Sequence, residues 1–177
     1  HFYLEKEGAN PGVSERELVD TAIHSLGLRD VGEFDASARV VEYAIGGDGP
    51  LVSMTGRDFI DTLGSSAPAP GGGSVASLCG AMSTALSAMV GSLTHGKKGY
   101  EDHFSAHCEN SVQAQSLKDA FLADIDHDTA AFNDIMTAMR LPKKTDADKA
   151  TRRLAMTEAT RTAINVPLGV LERSVHA

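Results

Sequence analysis

A proline, three glycines and a serine at residues 70–74 run directly into a helical stretch of small residues. Glycines lack a Cβ atom and adopt positive φ freely, so this segment lets a ligand approach the main-chain N–H groups at the start of a helix. Ala, Ser and Gly continue to about Leu93 and face more than one side of that helix. The pattern predicts a binding loop before a tightly packed helix, and a flexible turn in the same place is the alternative.

Charge and composition argue against several kinds of partner and environment for this chain. The formal net charge of -8 argues against non-specific nucleic-acid binding, which depends mainly on cationic contacts to phosphate. Two cysteines, Cys79 and Cys108, are too few for a disulfide scaffold, so reduced thiols and a cytoplasmic location are expected. The run from Val75 to Leu93 approaches membrane-spanning length, but its Ser, Thr and Gly make it only moderately apolar. Close helix packing away from any membrane is therefore expected.

The organisation of the chain changes near residue 46. Ser14 and Glu17 form a capping-box pattern at the start of a predicted helix over 15–26. Residues 39–45 are rich in strand-forming side chains and predict a strand. A Gly-Gly-Asp-Gly-Pro segment then indicates a linker, and nothing beyond it alternates as a strand does. The sequence predicts a short α+β tail of one domain over 1–46, a linker over 47–54, and a second domain over 55–177.

The second domain is predicted to be a helical bundle, which makes the chain mainly α. Thr55 predicts the start of a short helix that Gly64 ends. The helix of small residues comes next, followed by a long helix over about 101–140. A last helix is expected to begin at Thr145, because Asp148 follows three residues later.

The long helix carries an apolar seam that contains one carboxylate. Its members are spaced alternately by four and three, as in a helix packed lengthwise in a bundle: Phe121, Ile125, Asp128, Phe132, Ile135 and Met139. A carboxyl group on such a seam loses hydration, which favours its neutral form unless a cation or hydrogen bonds compensate, and such a group can exchange protons. Asp128 is therefore the candidate for acid–base chemistry, and an aspartate bonded to a neighbouring helix for packing is the alternative.

Other polar side chains of the same helix are weaker candidates for catalysis or metal binding. Asp124 and Asp126 lie off the seam and are expected to be solvated, although Asp126 could reach the edge of a site. His103 and His107 stand four apart on one helical face, a spacing that allows metal binding. The sequence offers no obvious third ligand for them, so exposed histidines and no metal are expected.

Several motifs, in order, resemble the cyclodeaminase/cyclohydrolase family of folate enzymes. They are Pro-Gly-Gly-Gly-Ser at 70–74, Leu-Thr-His-Gly-Lys-Lys at 93–98, Asp-His-Asp-Thr-Ala-Ala-Phe at 126–132 and Met-Arg-Leu-Pro-Lys at 139–143. Residues 1–46 are similar to the C-terminal end of glutamate formiminotransferase domains. Together they resemble bifunctional formiminotransferase-cyclodeaminases across their domain junction, with the cyclodeaminase part expected to be cut short at its C-terminus.

This resemblance implies a helical, dimer-forming module that acts on tetrahydrofolate derivatives in histidine degradation. The implied reaction converts 5-formiminotetrahydrofolate to 5,10-methenyltetrahydrofolate and ammonia. The family's active-site aspartate matches Asp126 or Asp128, and the seam favours Asp128. Binding of polyglutamylated folate is assigned to a loop for the pterin or linker region and to lysines for the glutamate carboxylates: Gly71, Gly72, Gly73 and Ser74, with Lys97, Lys98 and Lys143.

Two other functions stay open from the sequence. A methenyltetrahydrofolate cyclohydrolase of the same superfamily would use a similar pocket, but the transferase-like N-terminal residues favour formimino chemistry. A non-catalytic helical oligomerisation module would explain the helix of small residues and the seam, but it leaves the glycine-rich loop and Asp128 without a role. The helix of small residues is expected to form part of a homo-oligomer interface, whichever of these functions applies.

Overall fold

The computed structural model describes residues 1–41, 43 and 49–177. Its α-helices, in chain order, are α1 (Phe2–Lys6), α2 (Glu15–Ser25), α3 (Ala36–Arg39), α4 (Gly56–Leu63), α5 (Gly72–Thr94), α6 (Phe104–Arg140) and α7 (Asp146–His176). A 3₁₀ turn, Glu101–His103, precedes α6. The mainly helical fold predicted from the apolar spacing is therefore confirmed.

The chain forms two compact units. The first contains residues 1–48 and 82–118, and the second contains residues 49–81 and 119–177. Helices α5 and α6 each contribute residues to both units. The domain boundary predicted near residue 46 and the first two linker residues lie outside the described residues, so that boundary stays a prediction.

Side-chain caps set the beginnings of three helices where the sequence predicted them. Ser14 and Glu17 form a reciprocal capping box at α2, in which the Glu17 carboxylate accepts the Ser14 N–H at 3.0 Å. The Thr55 hydroxyl accepts the N–H of Asp58 at the start of α4, and Gly64 ends that helix. Thr145 does the same at α7, again with a capping box. Each cap satisfies N–H groups that have no partner within the helix.

The strand predicted over residues 39–45 is wrong where the structure describes it. Arg39 ends α3, and Val41 and Tyr43 are also helical. Asp35 begins α3 because its carboxylate accepts the N–H of Ser37 at 2.9 Å. A strand also needs a neighbouring strand, and the described part of the chain contains none. The tail is thus helical there instead of α+β, while the other three positions lie outside the described residues.

The core of the second unit forms around α4, α5 and α6. Leu51, Phe59 and Ile125 make a buried cluster, which Val75 and Leu78 of α5 pack against. The fully buried ring of Phe121 lies against Gly80, where an added Cβ would come within 2.8 Å of the ring. A glycine at this point therefore lets α5 and α6 approach closely.

The first unit uses glycines in the same way around Ser111 of α6. Added Cβ atoms at Gly12 and at Gly91 would both overlap the Ser111 side chain. The segment that contains Gly12 is fixed by buried Asn10, whose side-chain oxygen accepts the Gly12 N–H at 2.9 Å. The Asn10 amide also donates to the hydroxyl of Ser92 on α5 at 3.2 Å. Close backbone approach and one buried amide thus hold the N-terminal residues against the long helices.

The helix of small residues, α5, has 23 residues and by length and composition alone could cross a membrane. It is the one helix in the described ranges that meets this criterion. Core helices of proteins without a membrane meet it as well, so the finding is weak support for a span.

Candidate functional site

Asp128 of α6 caps the beginning of α5. Its Oδ2 atom accepts the backbone N–H of Ser74 at 2.9 Å. The Ser74 hydroxyl lies 2.8 Å from the carbonyl oxygen of Ile125 and 3.2 Å from Asp128 Oδ2, so its one proton favours the carbonyl. A carboxylate at this position also interacts favourably with the positive end of the helix dipole. Ser74 itself is fully buried.

The three glycines of the loop have different surroundings. An added Cβ at Gly73 would overlap both carboxylate oxygens of Asp128, so Asp128 occupies the space that a side chain would take. An added Cβ at Gly71 or Gly72 would meet no atom within 4 Å. Gly73 is therefore needed for the contact between α5 and α6, whereas Gly71 and Gly72 have open space around them.

Asp126 holds a different segment of the chain. Its Oδ1 accepts the N–H of Leu51 at 2.9 Å, and its Oδ2 accepts the N–H of Val52 at 3.2 Å. An added Cβ at Gly49 would overlap this carboxylate. The expectation that Asp126 is solvated is wrong, because both of its oxygens bind the main chain of the turn before α4.

Asp124 is also not solvated, contrary to the expectation from its position off the seam. Its side chain is 9% exposed and forms an ion pair with Arg173 of α7. The ring nitrogen Nδ1 of His127 lies 3.6 Å from its other oxygen. Sequence reasoning missed this pair because its members stand 49 residues apart and α7 gives no separate signal for Arg173.

The three carboxylates differ in whether a carboxylate oxygen is left without a hydrogen-bond donor or a cation. Asp126 uses both oxygens on main-chain N–H groups, and Asp124 has a cation beside each oxygen when His127 is protonated. Asp128 accepts the described hydrogen bonds through Oδ2, and no described residue donates to its Oδ1. Of the three, Asp128 is thus the carboxylate with an oxygen that no described residue binds, and the choice between Asp126 and Asp128 for proton exchange stays a prediction. The contact with Ser74 also matches the packing alternative, so this geometry serves both interpretations.

The three candidate lysines lie on exposed connecting segments. Lys97 and Lys98 follow α5 in the first unit, whereas Lys143 lies between α6 and α7 in the second unit. Gly71, Gly72, Gly73, Ser74, Asp126 and Asp128 all belong to the second unit. The structure thus brings together Gly73, Ser74 and Asp128, and the grouping of the lysines with them stays a prediction.

The two histidines with metal-ligand spacing contact each other. The rings of His103 and His107 lie 6.4 Å apart in an edge-to-face arrangement, and Tyr100 lies edge-on to His107. Across the described ranges, no group of three His, Cys, Asp or Glu side chains is placed to hold a metal ion.

Comparison with known proteins places this chain in a family. The family model described as Formiminotransferase-cyclodeaminase matches residues 55–177. Formimidoyltransferase-cyclodeaminase of Sus scrofa is 35% identical over 97% of this chain and 32% of its own length. The protein of the same name from Dictyostelium discoideum is 37% identical over 98% of this chain and 32% of its own length.

A shorter relative matches part of the same region. Methenyltetrahydrofolate cyclohydrolase of Methylorubrum extorquens is 43% identical over 110 residues, which cover 62% of this chain and 53% of that protein. The chain spans about a third of the length of the formimidoyltransferase-cyclodeaminases that it matches. With the family model matching residues 55–177, the chain belongs to the formiminotransferase-cyclodeaminase family.

Proposed function

We propose that this chain contributes to a folate cyclodeaminase that converts 5-formiminotetrahydrofolate to 5,10-methenyltetrahydrofolate and ammonia. The observation that carries the proposal is the Asp128 carboxylate at the start of α5, which has one oxygen free of described donors and lies against Gly73, in a loop whose Gly71 and Gly72 have open space around them. The names of the related proteins support this substrate class.

The proposed chemistry needs one group that moves a proton. Folate N10 attacks the formimino carbon, a C–N bond forms, and N10 gives up its proton. The formimino group enters in its protonated amidinium form, so its terminal nitrogen is an NH2 group in the tetrahedral aminal. That nitrogen takes the proton that N10 gave up, its bond to carbon breaks, and it leaves as ammonia while the positive charge stays on the methenyl product. A positioned carboxyl group can accept the first proton and return it to the leaving nitrogen, and such catalysis contributes roughly 10²- to 10⁴-fold. Asp128 is the residue that we assign to this transfer.

Comparison of two substrates in the intact protein that carries this chain tests the proposal. The cyclodeaminase should release ammonia from 5-formiminotetrahydrofolate and form 5,10-methenyltetrahydrofolate, which is followed by its absorbance. Hydrolysis of methenyltetrahydrofolate without any turnover of the formimino compound would instead favour a cyclohydrolase. That second function has specific support in the relative from Methylorubrum extorquens.

The different surroundings of Gly72 and Gly73 allow a matched pair of loop variants. Gly72→Val should weaken folate binding by blocking access to the backbone, with little change in helix content, because an added Cβ there meets no atom within 4 Å. Gly73→Val should instead disturb the fold, because its side chain would overlap Asp128. Ligand titration and circular dichroism separate the two effects. Unchanged folate affinity in Gly72→Val would remove this loop from the binding site.

The candidate lysines can be tested with folates of different tail length. Replacing Lys97, Lys98 or Lys143 with Gln should weaken polyglutamylated folate more than monoglutamylated folate, because the extra carboxylates supply the additional attraction. An exposed ion pair contributes about 0.2–1 kcal/mol, so each replacement should weaken the longer ligand by about 1.4- to 5-fold. Lys6→Gln is the control on another exposed segment. Equal losses for both folates would exclude tail binding by these residues.

We also propose a homodimer that uses α5. The buried face of this helix carries small residues: Ser74, Ser77, Ala81, Thr84, Ala88 and Gly91. The opposite face carries large apolar side chains that are about half exposed: Met82, Leu86, Met89, Val90 and Leu93. A continuous apolar face of this kind is typical of an interaction surface. The symmetric pairing of two such faces would bury it.

A charge placed on this face should dissociate the dimer. Leu86→Glu puts a carboxylate where the partner helix would pack, so sedimentation should show a shift from dimer to monomer at micromolar concentration. Val31→Glu is the control, since Val31 is 93% exposed and lies away from α5 in sequence. Unchanged sedimentation of Leu86→Glu, or a wild-type protein that is strictly monomeric, would contradict the proposed interface.

We extend the proposal to a pathway and a compartment. Formimino groups carried on folate are consistent with histidine degradation, and two free cysteines are consistent with a cytoplasmic location. Both assignments belong to the proposal and depend on the substrate comparison described above.

A further inference from the structure

The hydroxyl of Ser74 lies close to three other oxygen atoms. Its Oγ is 2.8 Å from the carbonyl oxygen of Ile125, 3.2 Å from Oδ2 of Asp128 and 3.3 Å from the hydroxyl oxygen of Thr129. Ser74 is fully buried, so bulk water does not reach this hydroxyl and its partners come from the protein. Thr129 can itself donate to Ser74 Oγ, which leaves the carbonyl and the carboxylate as alternative acceptors for the one Ser74 proton.

Distance and charge favour different acceptors for this proton. The shorter distance favours the carbonyl oxygen of Ile125. A hydrogen bond to an ionised group is roughly twice as strong as one between neutral groups, which favours Oδ2 of Asp128 while that residue is charged. Once Asp128 takes up a proton, this advantage is lost and the carbonyl is the better acceptor. The preferred position of the Ser74 proton therefore depends on the charge of Asp128.

The other groups described around Asp128 do not respond to its charge in this way. The backbone N–H of Ser74 donates to the same oxygen, Oδ2, at 2.9 Å, and it is fixed by the helix. Helix α5 carries no Asp, Glu, Lys, Arg or His. On the α6 side, the cationic groups Arg173 and His127 face Asp124 instead. Among the described donors to Asp128, the Ser74 hydroxyl is thus the one that can turn.

We propose that Ser74 is a positioning residue whose hydroxyl turns between Oδ2 of Asp128 and the carbonyl oxygen of Ile125 as Asp128 loses and gains a proton. With Asp128 ionised, the hydroxyl and the N–H of Ser74 both hold Oδ2, so Oδ1 is the oxygen that takes up the proton. With Asp128 neutral, the hydroxyl donates to Ile125, and the proton on Oδ1 is available to the leaving nitrogen. This inference rests on the proposed role of Asp128 in the cyclodeaminase reaction.

NMR of the isotopically labelled chain tests this reorientation without an assay of activity. In the wild-type chain, the carbonyl signal of Ile125 should shift with pH and share the midpoint of the Asp128 carboxyl signal, because a donor reaches Ile125 as Asp128 becomes neutral. In Ser74→Ala, Asp128 should still titrate, but the Ile125 signal should no longer follow it. Ser77→Ala is the matched control, since Ser77 is equally buried on α5 and donates to the carbonyl oxygen of Gly73 at 2.9 Å. In that variant, the Ile125 signal should follow Asp128 as in the wild-type chain.

Three results would overturn the proposal. The first is an Ile125 signal that does not change with pH while Asp128 titrates. The second is a pH dependence at Ile125 that survives in Ser74→Ala, which would show that the field of the carboxylate acts on the carbonyl directly. The third is an Asp128 carboxyl signal that does not titrate while the chain stays folded.

A double-variant cycle tests the consequence for turnover. Ser74→Ala should lower kcat of the intact protein roughly tenfold with little change in KM, as expected for the loss of one hydrogen bond to a charged group. In the Asp128→Asn background, the same replacement should have much less effect, because the hydroxyl acts through Asp128. Equal losses in both backgrounds would contradict the positioning role. If 5-formiminotetrahydrofolate is not turned over while Ile125 still follows Asp128, the proposed function fails and the reorientation stands. Turnover that needs Asp128, without any response at Ile125, would remove the reorientation and leave the proposed function.

Discussion

Asp128→Asn should abolish most cyclodeaminase turnover and leave the fold intact. Asn has nearly the same shape, and its carbonyl oxygen can still accept the Ser74 N–H that the carboxylate binds at 2.9 Å. The amide cannot exchange the proton that ammonia departure requires, so we expect a loss of roughly 10²- to 10⁴-fold in kcat. Steady-state formation of methenyltetrahydrofolate by the intact protein measures this loss, and 5-formiminotetrahydrofolate should accumulate.

Asp126→Asn is the matched control for this prediction. Both aspartates belong to α6 and both accept main-chain N–H groups, but Asp126 uses each of its oxygens in that way. Asp126→Asn should therefore lower stability with a smaller effect on kcat. Near-normal turnover in Asp128→Asn together with a large loss in Asp126→Asn would reverse the assignment. No loss in either variant would remove acid–base chemistry from this segment.

The beginnings of three helices were predictable because their signals are local. Ser14, Thr55 and Thr145 each act on an N–H group three residues later, so the sequence alone identifies the beginnings of α2, α4 and α7. The spacing of the seam likewise indicated the buried side of α6 at Phe121 and Ile125, which are buried, but not at Met139, which is about half exposed. Such features need no knowledge of distant residues.

The errors concern residues whose surroundings come from elsewhere in the chain. Val41 and Tyr43 favour a strand by type, but β-propensity depends on neighbouring strands, and the described residues supply none. Asp126 binds the main chain 75 residues earlier, at Leu51. Asp124 likewise gains its partner from α7. A position off the apolar seam of a helix is therefore compatible with burial when a distant segment provides donors.

Arg173→Met should destabilise the chain strongly because it leaves the Asp124 carboxylate without its arginine partner. The Asp124 side chain is 9% exposed, so water can replace little of the lost interaction. Removing one partner of a buried pair typically costs about 3–5 kcal/mol. Arg173 is itself 32% exposed, which points to the lower end, about 3 kcal/mol. Urea unfolding of the chain, with the slope of the transition compared between variants, measures the change.

Arg161→Met on the same helix separates loss of the ion pair from loss of an arginine. Arg161 pairs with Glu158 at 3.5 Å, and both side chains are about two-thirds exposed, so this variant should cost less than about 1 kcal/mol. Adding Asp124→Asn to Arg173→Met should recover part of the lost stability, because the uncompensated charge is then absent. If Arg173→Met costs no more than Arg161→Met, the pair between α6 and α7 does not stabilise the second unit. Recovery in the double variant would instead show that the cost arises from the isolated buried carboxylate and not from the loss of packing by the arginine side chain.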